Sequence, residues 1–535
     1  MMLMDMVLLL LVILPVTMAV IFFIFSESRH MRAVVTLVQS GFVALSFFLL
    51  WESQSGPVIT AVGGYYGFLG ILLQGDSLSS AFVFLTAIMF LMIILHNLLS
   101  RHEPGDRFYW FLMFILQGSL NGLFLSRDFF NIFVLVEVST VVVTILLMYD
   151  RNKRNLLAGM IFIMINILAM QFYLFGMGYL YMLTGVLDLE AAAAQVAYID
   201  NRDLVLPYAL IMTSIAAKCS LLPLLTWSPK VGALTGSRFT IAALMSGLHA
   251  KAGVYMFIRI QPVFGGMGDE FFLWAGVATA FGGVILALAQ KDIRLMLAYS
   301  TVAQVGLIIV GMSLHEGYSR TGSLLHIVNH AIIKAALFLA AGMFCYRYKT
   351  KDITKIRGLF RLNPVLAVSH FLAVLGIMGA PFFNGGLSKY FLAHGATGFT
   401  EWIIVAINFG TVLVFVRYSA IFFGQPQSEP EPGRNGRLRL AVLMCVGIFC
   451  VVMGVFGGQA AGFLFGETMQ VDFVGYGQKN LIFIASLIVA IIVYRKILAG
   501  RDIFKPLHRI QCSFKSICIS IGLFFVALAV YVGTI

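Results

Sequence analysis

Hydrophobic residues form long runs along this chain, separated by short polar breaks. Most runs are about 20 residues long, the length at which an α-helix crosses roughly 30 Å of hydrocarbon. The pattern predicts an all-α polytopic membrane protein. About sixteen spans fall near residues 3–25, 33–51, 78–99, 108–126, 129–148, 155–183, 204–227, 239–258, 271–289, 295–313, 323–345, 365–394, 402–423, 440–457, 480–497 and 516–534.

The composition favours the same fold class. Of the 535 residues, 60% are hydrophobic and 11% are charged, and a water-soluble fold could not cover that much apolar surface. The six cysteines include no CxxC pair and no neighbouring set of histidines. We therefore expect no metal, no disulfide framework and no cofactor.

The formal charge of +12 reflects topology. Loops after odd-numbered spans carry 26 lysines and arginines, whereas loops after even-numbered spans carry five. Because basic residues gather on the cytoplasmic side, both termini are expected outside a cell inner (cytoplasmic) membrane. The charge therefore does not indicate binding of nucleic acid.

Few ionisable side chains lie inside the predicted spans. A charge at the centre of a spanning helix costs about 2.5 to 3.5 kcal/mol on insertion scales, so it usually faces a partner or a wet cavity. The candidates for function are the mid-span residues Glu137, Lys218, Lys251, Lys334, Lys389 and Arg417.

Glu137 and Lys218 form the first candidate pair. Glu137 lies deep in FFNIFVLVEVSTVVVTILL and needs a proton or a cationic neighbour. Pro223 and Pro229 follow Lys218 and should break its helix, and interrupted spans often line ion pathways. The pair is predicted to bind protons; a structural ion pair between two helices is the alternative.

Later spans continue this row of titratable groups. Lys251 lies in MSGLHAKAGVYMF, and His249 occupies a different helical face, which leaves its participation open. In LLHIVNHAIIKAALF, a four-residue spacing aligns three groups on one face: His326, His330 and Lys334. Since histidine both donates and accepts protons, this stripe is a candidate proton wire; structural core histidines are the alternative.

A second interrupted helix surrounds Lys389. Pro381, Gly385 and Gly386 in LGIMGAPFFNGGLSKYFL should unwind this span for a few residues. Two interrupted helices are typical of transporters built from inverted repeats. For Arg417, a structural pair and a role in transport both remain open.

These segments resemble the antiporter-like subunits shared by Mrp-type sodium/proton antiporters, respiratory complex I and membrane-bound hydrogenases. The likeness runs from about residue 70 to 420. It is carried by NIFVLVEVS, AAKCSLLPLLTWSP, SGLHAKAGVY, KDIRLMLAYSTVAQVGLI, LHIVNHAIIKAALFLAAG and the turn before Lys389. Lys251, together with a lysine in the twelfth span where some relatives have glutamate, makes the chain most similar to the D subunit of Mrp antiporters.

The resemblance implies two inverted five-helix repeats in which helices 7 and 12 are broken. Helices 1–3 then occupy residues 1–107, the repeats 108–258 and 271–423, and helices 14–16 residues 440–535. It also implies that Glu137 pairs with Lys218. Lys251 and the region of His330 would form a central axis, and Lys389 the outlet of a second half-channel.

The expected function is that of a proton-translocating subunit in a multisubunit cation/proton antiporter, with ions moving along a buried Glu/Lys/His axis. Other membrane subunits are expected as partners, and transport of sodium stays open. One alternative is a proton-pumping membrane subunit of a complex I-like or hydrogenase redox complex, which leaves a translocase activity open. A structural subunit or a solute permease on the same scaffold is the second.

The sequence departs from the family pattern at three points. Leu225 stands where a histidine usually follows the proline and leucine of the broken helix. GALTGSRFTIAAL replaces a proline-containing motif before the eighth span. Two spans follow the fourteenth, joined by RKILAGRDIFKPLHRIQCSFK, a candidate docking segment for a partner subunit.

Overall fold

Helices form almost all of the regular structure in the part of the chain that the computed structural model describes. That part comprises residues 2–25, 31–64, 70–98, 106–225, 227, 229, 238–314, 317–425, 436–499 and 513–534. Its one sheet is a hairpin in which β1 (Val58–Ala61) pairs antiparallel with β2 (Leu72–Gly75). The predicted all-α polytopic fold is confirmed.

The helices follow one another closely along the chain. The first half contains α1 (Met2–Phe25), α2 (Met31–Glu52), α3 (Ser77–Asn97), α4 (Arg107–Leu125), α5 (Phe129–Leu147), α6 (Lys153–Thr184), α7 (Leu189–Val196), α8 (Asn201–Lys218), α9 (Phe239–Leu244), a π-helical turn (Met245–His249) and α10 (Ala250–Ile260). The second half contains α11 (Asp269–Ala289), α12 (Ile293–Met312), α13 (Gly317–Tyr348), α14 (Leu359–Leu362), α15 (Pro364–Met378), α16 (Asn384–His394), α17 (Phe399–Ser419), α18 (Arg437–Val455), α19 (Gly457–Phe465), α20 (Phe473–Val493) and α21 (Phe514–Gly533).

Fourteen helices of the described residues are long and apolar enough to cross a membrane. The segment from α9 to the end of α10 counts as one of them, since the π-helical turn continues the helix. The seventh and twelfth predicted spans do not reach this length and apolarity. They correspond to α8 and to the pair α15 and α16, which are the two interrupted helices.

Both interruptions occur inside predicted spans. The first begins earlier than Pro223, because α8 ends at Lys218 and Ser220 adopts a φ of 55°. The second separates α15 from α16, where Gly379 has a φ of 86° and Pro381 follows. Each interruption ends a half-helix within the bundle and leaves its last carbonyl groups without partners in the helix.

Glycine is required at the second interruption. A Cβ atom at Gly385 would lie 1.9 Å from the carbonyl oxygen of Gly376, which no other residue type permits without a backbone shift. The start of α16 therefore packs directly against the end of α15.

The two halves of the bundle repeat one local structure at a constant offset. Asp128 forms an isolated antiparallel bridge with Asp188, and Asp292 forms another with Asp352. Both residues of the second bridge lie 164 positions after their counterparts in the first. Helices α6 and α13 are both 32 residues long, and their first residues are also 164 positions apart. This spacing supports the two predicted repeats, whose boundaries and inverted orientation stay a prediction.

The centre of the bundle is α13, whose most apolar stretch is completely buried. It packs against α12, the π-helical turn and α16. Near the C-terminus, α20 packs on α17, and α21 packs on α8. Helix α20 begins at Phe473, earlier than predicted, so Lys479 lies within its first turns and not in a loop. Most of the predicted docking segment, residues 500–512, lies outside the described residues.

Candidate ion pathway

Lys218 ends the first half of the interrupted helix α8. Its Nζ donates hydrogen bonds to Thr140 Oγ1 at 3.0 Å and to Asn166 Oδ1 at 2.7 Å. The carbonyl end of a helix carries partial negative charge, so this position also stabilises an ammonium group. Lys218 is thus held by neutral oxygens on α5 and α6.

Glu137 lies one helical turn from Thr140 on α5. Its charge and that of Lys218 are close enough to attract each other. The expected ion pair is nevertheless not formed among the described residues, and Oε1 of Glu137 is buried without a hydrogen-bond partner. A buried carboxylate oxygen without a donor is satisfied by a proton or by water.

His249 lies near Lys218, two residues before Lys251 in the chain. It ends the π-helical turn, its ring packs 5.7 Å from the ring of Phe162, and its Nδ1 is buried without a partner. It lies close enough to Lys218 for the two charges to interact. Because a π-helical turn inserts one residue, the helical-face argument that left His249 open does not apply here.

Lys251 follows the π-helical turn and is completely buried. Its Nζ donates to the carbonyl oxygen of Ser246 at 2.5 Å, and the hydroxyl of Ser246 bonds to that of Thr301 on α12 at 2.6 Å. A Cβ atom at Gly253 would lie 2.9 Å from the backbone carbonyl carbon of Lys218. The helix that carries Lys251 therefore lies directly against the end of α8.

His326 has a defined hydrogen-bond network. Its Nε2 lies 3.0 Å from Gln304 Oε1, its Nδ1 lies 3.0 Å from Ser388 Oγ, and Gln304 Nε2 donates to Thr411 at 2.9 Å. With the amide nitrogen committed to Thr411, Gln304 accepts from the imidazole. Nε2 of His326 therefore carries a proton, and Ser388 Oγ, next to Nδ1, also bonds to the carbonyl oxygen of Gly385 at 3.4 Å.

His330 lies near several of the other titratable groups. Both of its ring nitrogens are buried without a hydrogen-bond partner, and its ring lies 6.0 Å from that of His326. It is within electrostatic range of Lys251, Lys334 and Lys389. An imidazole whose nitrogens have no hydrogen-bond partner in the protein is suited to bind a proton or a water molecule.

Lys334 lies one turn further along α13. Its Nζ donates to the Leu297 carbonyl oxygen at 3.0 Å and to the Ser300 hydroxyl, and it lies 5.3 Å from the ring centre of Phe415. The ammonium group is thus held by backbone, hydroxyl and aromatic groups on α12 and α17. No carboxylate neutralises it among its described contacts.

Lys389 occupies the second interrupted helix. Its Nζ donates to the carbonyl oxygen of Ile377 at 2.9 Å, in the last turn of α15. Both interrupted helices therefore place a lysine at the carbonyl end of a half-helix. Lys389 also borders a cavity of about 70 Å³.

The remaining predicted residues have structural surroundings. Arg417 donates to the carbonyl oxygen of Leu288 at the end of α11, which supports the structural alternative. Pro229 lines a cavity of about 40 Å³ beside the end of α8. Leu225 is buried and packs against Gly282. A Cβ atom added at Gly282 would lie 2.9 Å from the Leu225 side chain.

An ion pair fixes α10 at the end of the bundle that the loop charges assign to the outside. Arg259 donates to both carboxylate oxygens of Asp76, at 2.7 and 2.6 Å. Burial raises the pKa of the Asp76 carboxyl, but the hydrogen bonds and charge of Arg259 outweigh it and hold that pKa below its usual value. Within the described ranges, no group of three or more histidine, cysteine or acidic residues is arranged to hold a metal ion.

The sequence interpretation missed four polar residues around Lys389. These are Asn408 on α17 and Lys479, Asn480 and Ser486 on α20. The signal was present on α20, where Ser486 lies seven residues, or two helical turns, after Lys479, but the predicted span began at residue 480 and assigned Lys479 to a loop.

Comparison with known proteins identifies the family of this chain. The family described as "NADH:quinone oxidoreductase/Mrp antiporter, TM" matches residues 126–414, more than half of the chain. The chain belongs to this family. The match falls within the stretch, residues 70 to 420, where the motifs indicated the resemblance, and it confirms that prediction.

Curated relatives match nearly the whole chain. A protein of Alkalihalophilus pseudofirmus, named as the D subunit of a Na(+)/H(+) antiporter, is 28% identical over 480 residues, which cover 86% of this chain and 96% of the relative. A protein of Desulforudis audaxviator, named as the N subunit of an NADH-quinone oxidoreductase, is 28% identical over 468 residues, with 81% and 91% covered.

Two solved structures share the fold. A chain of the membrane-bound sulfane sulfur reductase, an archaeal respiratory membrane complex, has a TM-score of 0.80 at 21% identity, covering 91% of this chain and 99% of that one. A chain of the Mrp complex from Dietzia sp. has a TM-score of 0.79 at 23% identity, covering 92% and 100%. At these identities the likeness concerns the fold alone.

Proposed function

We propose that this chain is the proton-translocating, antiporter-like subunit of a multisubunit cation/proton antiporter of the Mrp type, which exchanges sodium for protons. The observation that carries the proposal is the row of titratable groups around α13, from Glu137 and Lys218 through Lys251 and His330 to Lys389. It is supported by the relative from Alkalihalophilus pseudofirmus, which is named as an antiporter component and matches 86% of the chain.

Charge coupling supplies the mechanism. Glu137, Lys218 and His249 form one cluster, and the groups around His330 form a second; the π-helical turn lies between them. A proton on one group lowers the proton affinity of its neighbours, so each cluster titrates as a coupled set. Displacement of an ion at Glu137 is thereby transmitted through Lys251 to Lys389.

The assembly would contain further membrane subunits, and this chain requires no cofactor for the mechanism. We place it in the cell inner (cytoplasmic) membrane with both termini outside, since basic residues divide 26 to five between the two sets of predicted loops. Asp76 and Arg259 would then face the outside.

Ion flux through the reconstituted complex tests the proposal. Liposomes containing the complete assembly receive a sodium gradient, and an enclosed pH-sensitive dye reports proton movement. Lys218→Ala and Glu137→Ala should slow proton flux, whereas Lys355→Ala removes an exposed charge and should not. Equal flux in all variants would mean that these buried groups do not carry the ion.

A redox-driven role is the second candidate, favoured by the relative that is named as part of an NADH-quinone oxidoreductase. It shares the proton path but takes its energy from electron transfer in other subunits. Membranes that contain the assembly separate the two candidates. Proton movement driven by sodium alone supports the antiporter, whereas dependence on an electron donor supports the redox complex.

A further inference from the structure

The cavity beside Lys389 carries several polar groups in a mostly apolar lining and has room for several water molecules. Its volume is about 70 Å³, and its polar lining includes Asn408, Lys479, Asn480 and Ser486. Oδ1 of Asn408 is buried without a hydrogen-bond partner. Water in this cavity would satisfy that amide oxygen and the second and third donors of the Lys389 ammonium group.

One wall of the cavity belongs to α20, a helix that is otherwise exposed at the surface of the bundle. Only 6% of its most apolar stretch is buried, and Ile488 is 54% exposed. Four of its polar residues nevertheless share the face that lines the cavity: Tyr476, Lys479, Asn480 and Ser486. Polar side chains on a lipid-exposed helix are costly unless they face water or a polar partner, so this face indicates a wet surface.

An ion pair lies beside the cavity, at the end that we take as its mouth. Lys479 on α20 bonds to Glu401 in the first turn of α17, and the side chains are 22% and 41% exposed. Glu401 lies one helical turn before Val405, which lines the cavity. The pair therefore joins the two helices at the end of the bundle that the loop charges assign to the outside.

We infer that α20 completes the outlet of Lys389, a hydrated passage for a monovalent cation that the ion pair between Lys479 and Glu401 closes. A cation that reaches the mouth neutralises the Glu401 carboxylate and releases Lys479, which opens the passage. This inference rests on the proposed function, and it gives α20, the first of the two membrane-spanning helices after α18, a specific task.

Water access tests the passage without reference to transport. Ser486→Cys is compared with Ile488→Cys, which lies at a similar depth on the lipid face of the same helix. The complete complex is placed in sealed vesicles whose exposed side corresponds to the outside and is treated with a charged, impermeant methanethiosulfonate reagent. The unsubstituted chain gives the background of its six native cysteines.

Ser486→Cys should react at least about tenfold faster than Ile488→Cys, because a thiol forms its reactive thiolate in water and not in hydrocarbon. Equal rates would overturn the inference. If labelling is fast while Lys218→Ala leaves proton flux unchanged, the proposed function fails and the hydrated cavity stands. If labelling is slow while transport depends on Lys218, the outlet alone fails.

Closure by the ion pair is tested in the Ser486→Cys chain. Glu401→Gln should increase labelling about two- to fivefold, the change expected for loss of a partly exposed ion pair. Exchange of the two charges, Glu401→Lys with Lys479→Glu, should restore the slower rate. Arg238→Met is the matched control, since Arg238 and Asp150 form a pair of similar exposure, 21% and 28%, away from this cavity. An unchanged rate in Glu401→Gln would rule out closure by this pair.

Discussion

The two interrupted helices hold their lysines in different surroundings, and the lysines lie 171 residues apart, not at the offset of 164 that relates the neighbouring segments. Lys218 donates to the side chains of Thr140 and Asn166 and lies near a carboxylate. Lys389 donates to the backbone of Ile377 and borders a cavity. Lys218 is thus fixed by polar side chains, whereas Lys389 bonds to the backbone at the edge of a cavity.

The offset of 164 residues allows a second comparison, between residues that contact the two halves of the pathway. It relates Asn166 to His330 and Thr140 to Gln304. In the first half, an amide at this position accepts a bond from Lys218, whereas in the second half the corresponding imidazole has no hydrogen-bond partner. The backbone repeats, and the side chains make one half suited to hold a charge and the other to exchange a proton.

Glutamate in place of each lysine gives the strongest test of the comparison. Lys218→Glu should reduce proton flux on the order of 10²-fold, since its carboxylate would face Glu137 and a positioned proton-transfer group would be lost. Lys389→Glu should keep more of the flux, because a carboxylate next to the cavity still binds a proton. Proton flux through the reconstituted complex measures both effects. Equal losses of flux in the two variants would contradict the proposed difference between the two lysines.

The second interruption should also be the more sensitive to added volume. Gly385→Ala places a methyl group against the Gly376 carbonyl and should lower the free energy of unfolding by about 1–3 kcal/mol. Gly178→Ala is the control, since no atom lies within 4 Å of its added Cβ. Thermal unfolding in detergent compares the two, and equal midpoints would show that the start of α16 can move away.

Exchange of the related residues tests the role of the imidazole. His330→Asn gives the second half the amide found in the first and should slow proton flux about tenfold, the lower end of what a proton-transfer group contributes. His370→Asn is a suitable comparison, because His370 is also buried but its Nε2 bonds to Tyr418 outside the row. If only the second variant slowed transport, His330 would not be the exchanging group.

The smallest effect is expected at Thr140. Thr140→Val keeps the shape of the side chain and removes one hydrogen bond to Lys218, a loss of about 1.5–3 kcal/mol for a bond to a charged group in the absence of relaxation. Asn166 continues to hold the ammonium group, so flux should fall only a few-fold. The dependence of flux on pH, measured with Ser139→Ala as the neighbouring control, would reveal the altered proton affinity of Lys218.

Several elements of the molecule followed from sequence alone. Fourteen of the predicted spans match helices long and apolar enough to cross a membrane, and the two interrupted helices lie where proline and glycine indicated them. Lys251 and His330 were named because an ionisable residue in hydrocarbon is rare and costly. The roles of these residues stay a prediction.

Other elements required the folded chain. The π-helical turn before Lys251 has no simple sequence signal, and it decides where His249 lies. The wall that α20 contributes to the cavity depends on contacts between residues about 90 positions apart, from Lys389 to Lys479. Glu137 and Lys218 were expected to touch, yet Thr140 and Asn166 occupy the bonding positions around the ammonium group.

Hydrophobicity along the chain specifies the spans and the set of buried charges, because transfer of each residue into hydrocarbon is a local free-energy term summed along one helix. Which oxygen each lysine bonds to, and which lysine borders a cavity, is set by the folded bundle. Those outcomes depend on packing between distant helices, where shifts of about an ångström separate a hydrogen bond from an empty space.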